Sequence, residues 1–432
     1  MSLPKYGAYK DSGISWISEL PAHWNSLRIK TLFELMKRPP RDEDGVVTAF
    51  RDGQVTLRSN RRTEGFTNSL QEIGYQGIRC GDLVIHAMDA FAGAIGVSDS
   101  DGKSTPVYSV CKPRQGLSDS HYYGRLLRHM ALSGFVESLA KGIRERSTEF
   151  RWAEAGNVYL PVPPIIEQTA IAAFLDRETA KIDALIAEQE KLIGLLAEKR
   201  QATISHAVTK GLNPNAPMKD SGVTWLGEVP AHWDIGAVKR FFTSLDGRRI
   251  PLSAEERGGR QGPFPYYGAS GVIDSIDNFL FEEDLVLVSE DGANLLNRAT
   301  PIAFIAKGQY WVNNHAHILR PMDSNLAFWA ERIEAVDLTP VVTGSAQPKL
   351  TIEALMNLII SVPPTSSERA AISAFIDSEK RKLDALYAEA ERSISLLKER
   401  RAAVIGAAVT GQIDVRGVMS QTAAGSLEAI AA

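Results

Sequence analysis

The chain is poor in cysteine, long apolar runs and surplus positive charge, and each shortage excludes a class of protein. Two cysteines, Cys80 and Cys111, in 432 residues cannot make a disulfide framework. Neither lies at metal-motif spacing from another Cys or a His, so both are predicted to be buried small side chains. No run of about 18 apolar residues is present, which excludes a membrane-spanning helix. The first residues lack a secretory signal, which predicts a cytoplasmic protein.

The charge balance argues against a general polyanion binder. The formal net charge is -4 at pH 7, whereas proteins that neutralise phosphates usually carry a basic excess. Residues 25–160 hold 19 Lys and Arg against 16 Asp and Glu, and residues 234–360 hold 11 against 16. Any DNA binding must therefore be local, and on charge alone the second region is a poor nucleic-acid binder.

The chain repeats itself internally. Residues 10–24 read KDSGISWISELPAHW and residues 219–233 read KDSGVTWLGEVPAHW. Residues 162–211 and 362–411 form a second repeat, and both copies begin Val-Pro-Pro. The order is short motif, variable region and helix, twice, which predicts one frame that carries two dissimilar inserts.

The second repeat predicts two long amphipathic helices. Apolar side chains recur at three- and four-residue steps over about 40 residues, or about 60 Å of helix. A single apolar stripe of this length needs a partner, and the other copy is the obvious one, so an antiparallel coiled coil is predicted. The alternative is that each helix packs on its own domain. The predicted coiled-coil core is Ile182, Leu185, Leu192, Leu196, Leu383, Leu386, Ile394 and Leu397.

The predicted fold class is α+β, with two globular mixed α/β domains separated by the two antiparallel helices. Both inserts combine short apolar runs with Gly, Asp and Pro turns, which is typical of strands and loops with few helices. The predicted boundaries are a first domain at 1–161, a central helix at 162–212, a second domain at 213–361, a C-terminal helix at 362–414 and a flexible tail at 415–432.

Catalytic motifs are missing. Residues 96–104, GVSDSDGKS, have five residues between the glycines where a phosphate-binding loop has four, so a hairpin turn is predicted instead. His315 and His317 lie two apart and could bind a metal, but no third ligand is apparent, which favours ordinary strand histidines. The chain has no G-x-S-x-G elbow, no Asn-Pro-Pro-aromatic sequence and no Gly-rich cofactor loop. It is predicted to be non-catalytic, with no metal and no cofactor of its own.

Candidate DNA-contacting residues can be chosen by type, because Arg and Lys bind phosphate or guanine while Asn and Gln read adenine. For any one of them an ordinary surface role is the simpler interpretation, and the clusters are better candidates than their members. They are Arg58, Arg61, Arg62, Lys141, Arg144 and Arg146 in the first insert, and Arg248, Arg249, Asn313, Asn314, Gln347 and Lys349 in the second.

The repeated elements resemble those of specificity (S) subunits of type I restriction-modification systems. The residues that carry the resemblance are the DSG-W-PAHW motif at both starts and Val-Pro-Pro before each helix. HAVTKGL at 206–212 and AAVTGQID at 407–414 close the two units in the same way. GDLVIHAMD at 81–89, WVNNHAHILRP at 311–321 and GSAQPKLT at 344–351 are similar to segments of that family's recognition domains.

The resemblance implies a function in DNA recognition. Each insert would be a target recognition domain that reads one half of a bipartite site in double-stranded DNA. The paired helices would set the spacer length and bind two methyltransferase (M) subunits, and two restriction/translocase (R) subunits could join. S-adenosylmethionine, ATP and Mg2+ would then act in those partners and not in this chain.

Two rival interpretations remain open from the sequence. One is a non-DNA coiled-coil scaffold whose inserts bind protein, which the acidic second insert favours. The other is a divergent fused nuclease or methyltransferase. Activity of the purified chain with S-adenosylmethionine or Mg2+ would support the enzyme.

Overall fold

The computed structural model describes residues 4–61, 72–139, 150–344 and 347–417. The chain divides into two compact units, the first formed by Met1–Gln189 with Arg392–Ala432 and the second by Glu190–Glu391. Each division falls inside a long helix, so both helices contribute to both units. The α+β fold class is confirmed.

The first unit contains twelve strands and four short helices among the residues described. The strands are β1 (Tyr9–Ile14), β2 (Ile17–Pro21), β3 (Asn25–Arg28), β4 (Phe33–Leu35), β5 (Val47–Ala49), β6 (Val55–Leu57), β7 (Gln76–Ile78), β8 (Leu83–His86), β9 (Ile95–Val97), β10 (Gly102–Ser104), β11 (Tyr108–Pro113) and β12 (Tyr159–Val162). The short helices are α1 (Ile29–Leu32), α2 (Ser120–Leu132), α3 (Phe135–Ser138) and α4 (Trp152–Ala155).

The second unit begins within the first long helix, α5 (Ile165–Lys210), and ends within the second, α10 (Ser366–Val409). Its strands are β13 (Met218–Asp220), β14 (Glu228–Pro230), β15 (Asp234–Ala237), β16 (Phe242–Ser244), β17 (Phe264–Gly268), β18 (Gly271–Ile276), β19 (Leu285–Ser289), β20 (Ala303–Ala306), β21 (Trp311–Val312), β22 (Ala316–Pro321) and β23 (Ile359–Val362). Its short helices are α6 (Ala254–Gly258), α7 (Asn294–Asn297), α8 (Leu326–Glu334) and α9 (Ile352–Asn357).

The two inserts share a fold that their sequences do not reveal. Each contains a four-stranded antiparallel sheet, in the order β4-β11-β8-β9 in the first unit and β16-β22-β19-β20 in the second. One helix packs on each sheet, α2 in the first and α8 in the second. In each unit a further strand pair, β3 with β12 or β15 with β23, leads into the following long helix. The repeat therefore includes the inserts as well as the frame.

Burial explains why the apolar runs become the central strands. In β8, Leu83 and Ile85 belong to the core that α2 covers, whereas Val84 packs in a second cluster on the other side. In β19, Val286 and Val288 face the main core, and Leu287 faces the opposite cluster. Strands buried on both faces read as continuous apolar runs, which is the pattern of these two segments.

The short repeated motif anchors the start of each long helix. His23 Nε2 lies 2.9 Å from the carboxylate of Glu167 in the first turn of α5. In the second unit His232 Nε2 lies 3.1 Å from Glu368 in the first turn of α10, and Trp233 Nε1 donates to the same carboxylate at 2.9 Å. Carboxylates at helix N-termini are favourably placed against the helix dipole. The motif is thus a structural joint, repeated because the helix is repeated.

The end of each long helix packs on the same joint within its unit. Gly411 follows α10 with φ 77°, and a Cβ there would lie 2.5 Å from Pro21 Cδ. Gly211 follows α5 with φ 78°, and a Cβ would lie 3.3 Å from the Trp233 ring. Both are left-handed C-terminal glycines of the kind that commonly ends a helix. The C-terminal end of each long helix therefore packs against a copy of the repeated tryptophan-containing motif.

The long helices pair antiparallel, as predicted. In the first unit Arg401, late in α10, donates to Asp183, early in α5, at 2.8 Å. In the second unit Arg200, late in α5, donates to Asp384, early in α10. The coiled coil is confirmed, and the helix ends lie within a few residues of the predicted 162–212 and 362–414.

The predicted coiled-coil core is too wide. Ile182, Leu196 and Leu383 are buried, and Ile394 and Leu397 are half-buried. Leu185, Leu192 and Leu386 are instead exposed, at 51%, 40% and 54%. A two-helix coil buries only the narrow seam of alternating three- and four-residue steps, which on α5 runs through Ile182, Ile186, Gln189, Ile193 and Leu196.

Three smaller predictions are corrected. Cys111 is buried as expected, but Cys80 is exposed because it lies in the turn before β8. Residues 96–104 do form a turn, but its flanking strands, β9 and β10, pair with β8 and β7, so it is not a hairpin. The predicted tail begins too early, because Val415 is buried in the first core. The remainder, 418–432, lies outside the described residues.

Within the described ranges, no helix combines the length and the apolar character that crossing a membrane requires.

Candidate nucleic-acid interface

Most of the second-insert candidates gather around one carboxylate, Glu290, which follows β19. Arg249 Nη1 donates to Glu290 Oε2 at 2.6 Å, and Lys349 Nζ lies 3.2 Å from its other oxygen. The backbone N–H of Glu290 donates to the His315 carbonyl, next to Asn314, at 2.9 Å. Residues from three distant stretches of sequence therefore meet where β19 ends.

The centre of this cluster is a buried ion network. His317 is 2% exposed at its side chain, and its Nδ1 lies 2.6 Å from Asp246 Oδ2. Its Nε2 lies 2.9 Å from the Leu350 carbonyl. Since both neighbours are acceptors, only the doubly protonated ring donates to each. Arg249 Nη2 also lies 3.2 Å from Asp246 Oδ2. Because Arg249 pairs with Glu290 as well, it links the carboxylates of Asp246 and Glu290.

The network holds both carboxyl groups in their charged form. Burial opposes the ionisation of Asp246, but hydrogen bonds from His317 and the Ile318 N–H outweigh it and lower the pKa of Asp246 below its ordinary value. Burial likewise opposes the ionisation of Glu290, and the hydrogen bond and charge of Arg249 with the charge of His317 lower its pKa. The surplus acid of this insert is therefore partly neutralised internally.

A metal is a poor fit to this cluster. Asp246, Glu290 and His317 each offer a ligand atom within 4.8 Å of the others. However, Arg249 pairs with both carboxylates and Lys349 pairs with Glu290. These positive side chains repel a metal ion at the same place. His315, the other histidine considered, is exposed and lies 2.7 Å from Asp291 instead. The two histidines therefore do not share a site.

Two of the candidates are largely buried rather than on the surface. Arg249 is 16% exposed at its side chain and also donates to the Ala316 carbonyl at 2.9 Å. Asn313 is 5% exposed, and its Oδ1 accepts the His315 N–H at 2.8 Å. Both side chains bond to their own insert, and their prediction as base or phosphate readers stays a prediction. The exposed candidates of the second insert are Arg248, Asn314, Gln347 and Lys349.

The first-insert candidates are less concentrated. Arg61 pairs with Asp52 at 2.6 Å and lies over the Phe50 ring at 4.2 Å. Arg58 Nε lies 3.4 Å from Thr48 Oγ1. Burial raises the pKa of the nearby Tyr108, and the charge of Arg58 offsets part of that rise, so that the pKa is about 12. The other four candidates, Arg62, Lys141, Arg144 and Arg146, lie outside the described residues.

Hydrogen-bond register gives the position-by-position correspondence of the two sheets. The Met36 N–H donates to the Val110 carbonyl, and the Leu245 N–H donates to the Ile318 carbonyl, each at 2.8 Å. The residue after Met36 is Lys37, and the residue after Leu245 is Asp246. By the same register, Ser109 in the first unit corresponds to His317 in the second.

A second pair of bonds extends the correspondence across the sheet. The Phe150 N–H donates to the Ala87 carbonyl at 2.9 Å, and the Leu350 N–H donates to the Glu290 carbonyl at 2.8 Å. Ala87 therefore corresponds to Glu290. The place that the ion network fills in the second unit is lined in the first by Lys37, Ala87 and Ser109.

In the first unit this place is an open cavity of about 610 Å³. Sequence reasoning missed its lining, whose charged, aromatic and amide members are Lys37, Arg38, Tyr75, Gln76, Tyr108, Arg151 and Trp152. The basic run KRPPR at 37–41 was an available signal. The aromatic residues are far apart in sequence, and only the sheet brings them together.

Comparisons with known proteins agree with this architecture. The sequence model of the type I restriction modification DNA specificity domain matches residues 230–391. A protein of Haemophilus influenzae that bears the name "Putative type I restriction enzyme specificity subunit S.HindORF215P" is 33% identical over 124 residues. That match covers 28% of this chain and 31% of the relative, so it spans about a third of the relative's length.

Two solved structures share the fold over nearly the whole chain. One is the HsdS subunit from Thermoanaerobacter tengcongensis, with a TM-score of 0.53, 17% identity and coverage of 94% of this chain and 99% of that one. The other comes from a structural study of complex assembly and conformational transition in a type I restriction-modification system, with a TM-score of 0.59, 17% identity and coverage of 91% and 99%. At this identity the likeness shows the fold.

Proposed function

We propose that this chain, a member of the specificity-subunit family of type I restriction-modification systems, recognises a bipartite DNA sequence through its two inserts. The observation that carries the proposal is the repeated fold with unlike surfaces at equivalent positions. Lys37, Ala87 and Ser109 line an open place in the first insert, where Asp246, Glu290 and His317 form an ion network in the second. One frame that presents two different surfaces suits two different half-sites.

In the second insert the readers would be the exposed polar side chains beside the network. Arg248 and Lys349 are both about half exposed, and Asn314 and Gln347 are exposed amides. Amide side chains suit adenine, and Arg and Lys suit guanine or phosphate. The network beneath them would keep their backbones in place, because each of its members is held by at least one ion pair or hydrogen bond.

The catalytic steps are assigned to other subunits. We propose that methyltransferase subunits dock on the paired helices, where Leu185, Leu192 and Leu386 are exposed outside the seam, and that restriction subunits join the resulting complex. Those partners would use S-adenosylmethionine, ATP and Mg2+, while this chain would act in the cytoplasm without a cofactor. The helix length would fix the unspecified spacer between half-sites.

The direct test is selection of DNA by the purified protein. The chain, co-purified with the methyltransferase subunit, would be incubated with a random duplex library, and the retained DNA would be sequenced. Two short defined sequences at a fixed spacing are expected. Gln347→Ala should reduce the sequence preference at only one of the two half-sites. The matched control is Gln261→Ala, at another exposed glutamine of the same insert, which should leave both preferences unchanged. Failure to retain DNA would favour the scaffold interpretation, and retention without any sequence preference would contradict recognition of a bipartite site.

A further inference from the structure

The open cavity of the first unit has the lining of a nucleotide site. Its volume of about 610 Å³ is within the usual range of roughly 300–1,000 Å³ for small-molecule sites. It lies at the ends of β4, β7 and β11 and directly after β8, so its lining combines strand ends with the loops between them.

The charge of the lining is positive. Lys37, Arg38 and Arg151 line the cavity, and no Asp or Glu does so among the described residues. Lys37 has no ion pair within the described part of the chain. Arg38 pairs with Asp82 through Nη2 at 2.6 Å, but its buried Nε has no hydrogen-bond partner. The Asp82 carboxylate therefore does not use all the donors of the Arg38 guanidinium, and arginine is a common partner of anionic groups.

The rest of the lining suits a flat, polar-edged ring. Tyr75, Tyr108 and Trp152 line the cavity, and aromatic side chains are the usual stacking partners of nucleobases. Gln76 donates through Nε2 to the Tyr108 carbonyl at 2.6 Å. Its Oε1 has no partner among the described residues, so it can accept a hydrogen bond from the edge of a base.

The corresponding place in the second unit shows that the opening is not a requirement of the fold. There Asp246 stands at the position of Lys37, Glu290 at that of Ala87 and His317 at that of Ser109. Their side chains, with Arg249, fill the place with an ion network. The same sheet therefore holds either a closed network or an open basic cavity.

We propose that the cavity of the first unit binds one unstacked nucleotide, with its base among Tyr75, Tyr108 and Trp152 and its phosphate at Lys37, Arg38 and Arg151. The nucleotide comes from a DNA strand, extruded from its helix, or is a free mononucleotide. The DNA source depends on the proposed function, whereas the free-nucleotide source does not. Cationic ligands such as S-adenosylmethionine are disfavoured by the three positive side chains.

Binding of three probes to the full chain tests the proposal by fluorescence anisotropy and calorimetry. The probes are dAMP, a duplex with one unpaired adenosine, and the fully paired duplex. Because unpairing costs a few kcal/mol, the unpaired duplex should bind about tenfold or more tightly than the paired one. Tyr75→Ala should lower the affinity for the duplex with the unpaired adenosine about 5- to 100-fold and remove the preference for it over the paired duplex. Tyr159→Ala, an exposed tyrosine of the same unit, should not.

A charge pair completes the design. Lys37→Gln should lower the affinity for dAMP. Lys112 is an exposed lysine outside the lining, so Lys112→Gln should leave that affinity unchanged. The proposal is overturned if dAMP does not bind and the two duplexes bind equally, or if neither Tyr75→Ala nor Lys37→Gln changes any affinity. Binding of dAMP through Tyr75 and Lys37 without binding of either duplex would support a free-nucleotide site and would show that the DNA function had failed.

Discussion

Glu290 holds in the second unit the sheet position that Ala87 holds in the first. The backbone carbonyl of each accepts a hydrogen bond from a residue two places before a short helix, Leu350 or Phe150. A carboxylate in place of a methyl group requires cations, and Arg249, Lys349 and His317 supply them. Together with Asp246 at the position of Lys37 and His317 at that of Ser109, this difference separates a closed network from an open cavity on equivalent sheets.

The network predicts a specific acid sensitivity. The pKa of Asp246 is lowered in the folded protein, so its ion pairs stabilise the fold above its unfolded pKa of about 4 and are lost as pH falls through the folded value. Asp246→Asn should lower the urea midpoint at pH 7 and flatten its dependence on pH below about 4. Unfolding followed by tryptophan fluorescence from pH 7 to pH 2.5 measures both. The exposed Glu255→Gln is the control, and equal slopes in wild type and Asp246→Asn would contradict the prediction.

Neighbouring arginines should separate stability from binding. Arg249→Ala removes donors to Glu290 and the Ala316 carbonyl, which should cost about 2–4 kcal/mol of unfolding free energy because a buried carboxylate loses a partner. Arg248 is 52% exposed, so Arg248→Ala should change stability by less than about 0.5 kcal/mol while weakening DNA binding. Denaturation and anisotropy on the two variants give the comparison. A large loss of stability in Arg248→Ala would refute the assignment.

The two classes of helix leucine should behave differently. Leu196→Ala, in the buried seam of α5, should destabilise the protein by about 2 kcal/mol, since it opens a cavity between the helices. Leu192→Ala, four residues earlier and 40% exposed, should change stability by less than about 0.5 kcal/mol. If the proposed docking on the helices is right, Leu192→Ala should instead reduce co-purification with the proposed methyltransferase partner. Thermal unfolding and pull-down measure the two effects, and equal destabilisation would show that the seam is misplaced.

Substitution of two glycines should change the free energy of unfolding in opposite directions. One glycine follows a long helix and the other lies within one. Gly411 has φ 77° and has no room for a Cβ beside Pro21, so Gly411→Ala should cost about 1–3 kcal/mol. Gly194 lies within α5 with open space around it, so Gly194→Ala should stabilise the protein by about 0.5–1 kcal/mol. Denaturant midpoints are sufficient for both. Stabilisation by Gly411→Ala would rule out the left-handed joint.

The frame was predictable because its signals are long or repeated. A stripe that persists for about 40 residues identifies a helix, and the duplicated motif gives the order of the parts. The seam was overestimated because apolar residues such as Leu185 satisfy helical spacing without being buried. Hydrophobicity alone does not show which side of a wide stripe faces the partner.

The site was less predictable because it depends on sheet topology. Strands of three to six residues, such as β4 and β11, carry too little pattern to show that they pair across the insert. Choosing residues by type did find Arg249 and Lys349, which meet around Glu290. It could not distinguish the supporting Arg249 from the exposed Arg248, since burial is set by the fold. Lys37 and Trp152 line one cavity only after β8 and β11 pair.

The central claim is that the two inserts read two halves of one DNA site. Co-expression of the chain with the proposed methyltransferase partner, followed by sequencing of methylated adenines across the host genome, tests it most directly. The account predicts a single bipartite motif with two defined halves and a fixed unspecified spacer, one half of which changes in Gln347→Ala. Methylation at unsplit or unrelated sequences, or the same motif in that variant and in one that replaces the whole second insert, would contradict it.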